Sequence, residues 1–514
     1  MKFSKWTSVV VMTLVAALAM SVCMAAQNNP TQDHKSKHHQ YKLIDLGTLG
    51  GPTSFITNLE TDTINPQGAA IAEADTAIPD PYYPNCFQDC LVNHSGQWQN
   101  GVLTDLGALP GVNSSIPFWI NDRGWTTGMS ENGVTDPLTG FPETDAVLWR
   151  NGQIINLGTL GGNVSAANAV NNRGQVVGGA LNTIPDPFSG TFFPSFFFFP
   201  VATQSHAFLW QNGAMQDLGT LGGPDSVAWF VNEPGQIAGQ SSINFVPNPG
   251  TGIPTVDPFF WENGKMVDIG GLGGTLGVVY DLNNRGQVVG QSNLAGDQTY
   301  HPFLWDKRAG LKDLGTLGGN LGFSVWVNDA GVVVGRADIS IGSNAHHAFR
   351  WTQATGMQDL GAPGNDMCST AHAINSSGQI VGTSAVQCGG NGCVGGCHGW
   401  LWEDGGPIVD LETLVLPGSD LTITGVVSIN DRGEVTGQGI LANGDQHAYL
   451  AIPCDDKHPG QCLDYSMIEV STPQTSGPAT ISQGSESPAG TDNPSRNRFG
   501  RGYHLPGQPA APRD

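Results

Sequence analysis

The sequence predicts an all-β fold, an eight-bladed β-propeller of four-stranded blades, closed by pairing the N-terminal strand near residues 41–47 with the last strands near residues 447–452. Three observations predict it: three short signatures recur eight times in fixed order, each repeat carries turn residues for two hairpins, and the repeat is cut out of phase at the two ends.

The first signature, a hydrophobic-x-Asp-Leu-Gly segment that usually runs on into Leu-Gly-Gly, surrounds Asp45, Asp105, Asn156, Asp217, Asp268, Asp313, Asp359 and Asp410. The second is Asn-x-x-Gly, at Asn65, Asn121, Asn171, Asn232, Asn283, Asn328, Asn375 and Asn430, and these asparagines number the copies from first to eighth. The third ends in Trp98, Trp149, Trp210, Trp261, Trp305, Trp351 and Trp402, with Ala451 in the eighth copy. Successive copies lie about 52 residues apart, a length that suits one four-stranded blade.

Turn chemistry sets the strands. Asn171-Asn172-Arg173-Gly174 and Asn430-Asp431-Arg432-Gly433 have the asparagine-first, glycine-fourth order of a type I turn. Asn151-Gly152, Asn212-Gly213, Asn263-Gly264 and Asp404-Gly405 favour the two-residue hairpin whose twist matches paired strands. In Ala207-Phe208-Leu209-Trp210 both alternating sets are apolar, so both sheet faces require cover, and stacked copies supply it. The repeats open with one Asp-Leu-Gly strand from Tyr41 and finish with the tryptophan-type strand at His447 to Ile452; joined, the ends complete one blade and remove the exposed edges of a linear array. An open β-solenoid is the rival arrangement, with shorter repeats than these.

Around the repeats, residues 1–25 read as an export signal, with Lys2 and Lys5 before the apolar run Val9 to Met20 and small residues near Ala25. Residues 26–40 form a polar leader, 41–465 the propeller, and 466–514 a Pro/Gly/Ser-rich tail expected to be disordered. No stretch is long and apolar enough for a membrane span. Cys23 is a poor lipid-anchor site, because Met20, Ser21 and Val22 are not the small neighbours such a site uses. Loss of the signal leaves eight of nine cysteines: Cys86, Cys90, Cys368, Cys388, Cys393, Cys397, Cys454 and Cys462, an even set that suits disulfides in an exported chain. A net charge of −23 without a basic stripe argues against nucleic acid. A monomeric ring in the periplasm or outside the cell is expected.

His206-Ala207-Phe208-Leu209-Trp210, His347-Ala348-Phe349-Arg350-Trp351 and His447-Ala448-Tyr449-Leu450 resemble the signature of the extracellular HAF-repeat family of bacterial proteins, over residues 41–453. The resemblance implies export and a repeat fold, and brings no activity or catalytic residue. Asp145-Ala146-Val147-Leu148-Trp149 and His94-Ser95-Gly96-Gln97-Trp98 depart from the pattern.

Repeated polar residues are weak candidates for chemistry. His94, Asp145, His206, Asp257, His301, His347, His398 and His447 stand four residues before each tryptophan or its equivalent; on separate blades they cannot converge, and each is expected to bond a nearby backbone group. The Asp-Leu-Gly aspartates are read as hydrogen-bonded strand ends. Leu-Gly-Gly segments such as Leu160-Gly161-Gly162 lack the lysine and helix of a phosphate loop and are read as flexible crossings. Neither sialidase-type aspartate boxes nor the repeats of quinone-dependent dehydrogenases are evident. His34, His38 and His39 belong to the leader, where a metal ion would be held weakly. No catalytic, cofactor or metal residue is assigned.

Departures from the repeat are the better guide, because insertions map to loops on one face. Inserts separate the second and third strands at Ala74 to Asn93, Ser130 to Thr144, Ala180 to Ser205 and Gln240 to Val256. Cys86 and Cys90 lie in the first; Cys388, Cys393 and Cys397 lie in the matching loop of the seventh copy, with Cys368 in its incoming crossing and within bridging reach. The third insert carries Phe192, Phe193, Phe196, Phe197, Phe198 and Phe199, a candidate interaction loop if exposed and a local plug if covered. The leading expectation is therefore a non-enzymatic binding or surface-interaction propeller for an extracellular glycan, peptide or protein. A glycan hydrolase or lyase would need non-repeated carboxylates meeting in the central funnel; Glu131, Asp136 and Glu143 are the insert candidates. A purely structural repeat protein is the third option.

Overall fold

A computed structural model describes residues 38–454 and Cys462, apart from residues 57–60, 84, 87–89, 138–139, 189–201, 343, 390–391 and 404. The signal, most of the leader, the tail and the Phe192–Phe199 loop lie outside the described residues.

The chain is all-β. Each copy forms a four-stranded antiparallel meander; in the third, Ser165–Val170, Val176–Pro185, Thr203–Gln211 and Ala214–Asp217 pair in that order. Six such sheets stand alone. The fourth and fifth copies share one eight-stranded sheet through a single parallel bridge, Val256 to Leu276. The eighth copy takes its outer strand from the other end of the repeats: Tyr41–Asp45 pairs with Gln446–Pro453, from Tyr41 opposite Pro453 to Asp45 opposite Tyr449.

The turn chemistry is as the sequence predicts. Asn151, Asn212 and Asn263 sit at φ of 54°, 54° and 52°, each before a positive-φ glycine, the two-residue geometry whose twist suits a hairpin. In the first turn Asn171 Oδ1 accepts the Arg173 and Gln175 amides, and the Gly174 amide donates to the Asn171 carbonyl.

Burial follows the two-sided strand pattern. Phe208 and Trp210 pack with Ala146 and Leu148 of the preceding copy, whereas Ala207 and Leu209 pack with Ala228 and Phe259 of the following one. A comparable cluster joins the last copy to the first, where Ala448, Leu450 and Ile452 meet Ile64, Ala70 and Trp98. Polar contacts cross the same junction: Gln438 Nε2 donates to the Ser54 carbonyl, and the Ala448 amide donates to Ser54 Oγ.

One glycine recurs seven residues after the asparagine in seven copies, from Gly128 to Gly437. It lies opposite a register shift in the inner strand, where the partner backbone closes in. A Cβ on Gly178 would stand 2.0 Å from the Ala166 carbonyl oxygen and 2.9 Å from the Phe208 ring. Because backbone cannot yield as a side chain can, Gly178→Ala is expected to cost about 3 kcal/mol in thermal unfolding. Gly250→Ala, at a site with nothing within 4 Å, should leave the melting temperature unchanged.

The four inserts correct one expectation. Three of them lengthen the second and third strands into projecting hairpins: Ala70–Pro79 with Leu91–Gln99, Thr126–Thr135 with Pro142–Arg150, and Val176–Pro185 with Thr203–Gln211. Neighbouring inserts touch, with Asn85 Nδ2 donating to the Gly140 carbonyl at 2.7 Å. The crossings are also firmer than predicted. In four of them a threonine after the Asp-Leu-Gly or Asn-Leu-Gly segment locks the turn, as where Thr159 Oγ1 donates to the Gly162 carbonyl and accepts the Gly161 amide.

Candidate functional site

Eight asparagine side chains link the copies. Each Nδ2 donates to the backbone carbonyl of the next copy's asparagine, at 2.9–3.2 Å: Asn65 to Asn121, on through Asn171, Asn232, Asn283, Asn328 and Asn375 to Asn430, and from Asn430 back to Asn65. The side chain thus serves two purposes, its oxygen closing its own turn and its amide joining the neighbour. Sequence reasoning found the first and missed the second, because an intermolecular-like contact between copies leaves no local pattern.

These asparagines line a cavity of about 290 Å³ on the side of the Asn-x-x-Gly turns. Trp119, Phe230 and Trp326 form apolar wall, and Trp119 and Phe230 meet edge to face with centroids 6.1 Å apart. Among the described residues six carboxylates line it and no Lys, Arg or His does. Four of them follow the asparagine in alternate copies, Asp122, Glu233, Asp329 and Asp431. They hold neighbouring turns: Glu233 accepts the Asn172 amide, Asp329 the Asn284 amide and Asp431 the Ser376 amide. That alternation was visible in the sequence and went unread.

The other two, Asp62 and Asp281, occur once each. Asp281 is buried and both oxygens are engaged, accepting the Leu282 and Val327 amides at 2.7 and 2.8 Å. Burial pushes it up to about 7 despite those bonds. Asp62 is half-buried and is held well above the usual carboxylate range by desolvation, then by the Asp281, Asp122 and Asp431 charges.

The repeated histidines behave differently from the expectation. In the first, third, fifth, sixth and eighth copies the imidazole Nδ1 bonds the Asp-Leu-Gly carboxylate: His94 with Asp105, His206 with Asp217, His301 with Asp313, His347 with Asp359 and His447 with Asp45, all at 2.8–3.0 Å. His447 also meets the expected kind of partner, its Nε2 lying 3.1 Å from the Pro52 carbonyl oxygen. The register places the two side chains diagonally on adjacent strands, which local reading could not show. Asp145 is matched by Asn156 Nδ2 at 2.6 Å, and His398 turns to Asp366. The aspartates are strand ends as predicted, with Asp217 Oδ1 accepting the Gly219 amide at 2.7 Å.

The insert face gathers exposed apolar residues. Of the twelve exposed large hydrophobics among the described residues, ten lie in inserts, crossings or the strand ends beside them, Tyr83, Val246 and Ile341 being 77%, 69% and 74% exposed. Cys86 pairs with Cys90, Cys368 with Cys388 and Cys454 with Cys462, and Cys397 is also disulfide-bonded. Among the described residues one His/Cys/Asp/Glu trio, His346, Cys368 and Cys388, has ligand atoms close enough for a metal ion, but its two sulfurs are spent on the disulfide. Of the enzyme candidates, buried Glu131 accepts the Ser114 amide, while Asp136 and Glu143 share the Asn163 amide; none lines the asparagine-ringed cavity. No described helix is long and apolar enough to cross a membrane.

Four-stranded antiparallel meanders packed side by side around a shared cavity define an all-β protein of propeller type. No family model matches the sequence, and no curated protein sequence does. Solved structures with some likeness include puromycin hydrolase at 12% identity and a TM-score of 0.38, covering 58% of this chain, which spans only 44% of that protein. The β-propeller domain of the Trilobed protease from Pyrococcus furiosus is 7% identical with a TM-score of 0.37, covering 72% of this chain and 98% of that one. TolB from Acinetobacter baumannii is 10% identical with a TM-score of 0.32, covering 80% and 96%.

Proposed function

We propose that this chain is an exported, closed eight-bladed propeller of the HAF-repeat family that binds an extracellular partner without chemistry through its insert-bearing face. Closure is supported by the asparagine circuit returning from Asn430 to Asn65 and by the pairing of Tyr41–Asp45 with Gln446–Pro453. The binding face rests on one observation, the concentration of exposed apolar side chains on inserts and crossings, including Ile78, Val134, Ile184 and Val246 on four consecutive copies. Contiguous exposed apolar surface costs solvation free energy unless a partner covers it. The purified chain lacking residues 1–25 is expected to retain a ligand from arrays of extracellular glycans, peptides and cell-surface proteins. Changing Ile78, Val134, Ile184 and Val246 together to serine should weaken that binding at least tenfold, and unaltered binding would reject this face.

A second reading, an enzyme acting on an extracellular polymer, has one observation in its favour: the non-repeated Asp62 and Asp281 both line the axial cavity and influence each other electrostatically. Against it, Asp281 has both oxygens committed to backbone amides, and about 290 Å³ is at the small end even for a small-molecule pocket. Glycan turnover abolished by Asp62→Asn would establish it.

A further inference from the structure

The fourth copy departs from the others in two neighbouring places. Where five copies set an imidazole N–H against the Asp-Leu-Gly carboxylate and the second copy sets Asp145 against the Asn156 amide, the fourth has aspartate on both strands, Asp257 and Asp268. The register is unchanged: Asp268 pairs with Phe259 just as Asp217 pairs with Phe208, so the two carboxyls occupy the positions of His206 and Asp217. A donor–acceptor pair has become two acceptors.

Asp257 is only 8% exposed, and its carboxylate receives no hydrogen bond from any described residue. Asp268 accepts the Gly270 amide through Oδ1, which leaves Oδ2 available. A largely buried carboxylate that no protein donor meets is left to water alone, and a nearby cation would stabilise it.

The second departure makes room beside it. Three residues after the signature aspartate the copies carry Thr48, Ala108, Thr159, Thr220, Thr316, Ala362 and Thr413; the fourth alone has Gly271. A Cβ at that position would lie 3.4 Å from Asp257 Oδ1 and 3.2 Å from Ser292 Oγ. Its loss gives up the threonine that locks other crossings and opens space beside the Asp257 carboxylate.

We propose that Asp257 and Asp268 form a binding site for a hard divalent cation, Ca²⁺, in the place that other copies fill with a histidine. Two carboxylates suit a cation that prefers oxygen and accepts irregular geometry with water completing its shell, and so few charged ligands imply the weak affinity of extracellular modules, on the order of 0.1–1 mM.

The test is Ca²⁺ titration of the full mature chain by calorimetry at pH 7.5, beside thermal unfolding with 10 mM Ca²⁺ or with chelator. Wild type should bind Ca²⁺ at this site with a melting temperature about 1–2 °C higher than in chelator. Asp257→Asn should bind one equivalent fewer. Asp257→His rebuilds the pair seen in five other copies and keeps the fold; it should lose the same equivalent and unfold at one temperature with or without Ca²⁺. Equal Ca²⁺ stoichiometry in wild type and Asp257→His, or no Ca²⁺ binding by wild type up to 10 mM, would overturn the proposal. Other acidic groups do not confuse the result, because both variants leave the axial carboxylates intact.

Discussion

A chain beginning at residue 48 should fail to fold cooperatively, although it retains 31 of the 32 strands. The missing strand, Tyr41–Asp45, makes five register pairs with Gln446–Pro453 and buries Tyr41 and Leu43, while Leu46 just beyond it is 3% exposed. Burying an aromatic and two leucines contributes on the order of 6 kcal/mol, comparable to the whole stability of many domains. The loss also bares the backbone edge of the eighth copy that Tyr41–Asp45 pairs. A circularly permuted chain that starts at residue 48 and carries residues 40–47 on a short linker after Pro453 should recover the wild-type melting temperature, since the strand reaches the same edge. Circular dichroism and calorimetric unfolding read both outcomes. A truncated chain melting within a few degrees of wild type would show that this strand is dispensable and closure with it.

Raising the pH from 5 to 8 in the presence of chelator should lower stability, by on the order of 5 kcal/mol. Burial pushes Glu131 to about 8; burial and then the Asp186 charge push Asp225 to about 8; Asp281 stands at about 7. Each exceeds its unfolded value near 4, so the folded state holds protons that the unfolded state has released. Stability is therefore greatest below the unfolded values and declines as pH climbs through the folded ones. Some aspartates have the opposite sign. Burial raises Asp105 and Asp217, but hydrogen bonds from His94 and His206, the Gly107 and Gly219 amides and the imidazole charge bring them below the usual range. Their contribution is present above pH 4 and lost in stronger acid. Buried His346 and His372, held down at about 3 and about 4 by desolvation and then by the Arg336 charge, gain stability as pH rises through the unfolded value near 6.5 and so offset part of the decline, which the three raised carboxyls still dominate. Glu131→Gln with Asp225→Asn should flatten the slope and melt above wild type at pH 8. A wild-type melting temperature that is level or rises between pH 5 and 8 would refute this account.

The buried carboxylates behind that prediction were only half visible in the sequence. Glu131 was noticed as an insert acid, yet its place against the Ser114 amide depends on how far the second hairpin extends. Asp62 and Asp281 stand just before the Asn-x-x-Gly turn at positions where no other copy has a carboxylate, and a comparison of copies would have marked them as departures. The fourth copy's Asp257 was noted as a histidine substitute, but its significance rests on Asp268 keeping its charge where the second copy has Asn156. The phenylalanine loop, the boldest feature of the linear reading, lies outside the described residues.

What the sequence determined by itself was local and periodic: strand alternation, Asn-Gly hairpins, the asparagine-headed turn and the out-of-phase ends all follow from backbone preferences and two-sided burial within a few residues. Only the tertiary structure decided which polar groups meet. The asparagine amides joining successive copies, the histidine–aspartate pairs across strands and the carboxylates around the cavity bring together residues from 11 to 402 positions apart, and such meetings depend on how the sheets stack and where the last copy comes to rest.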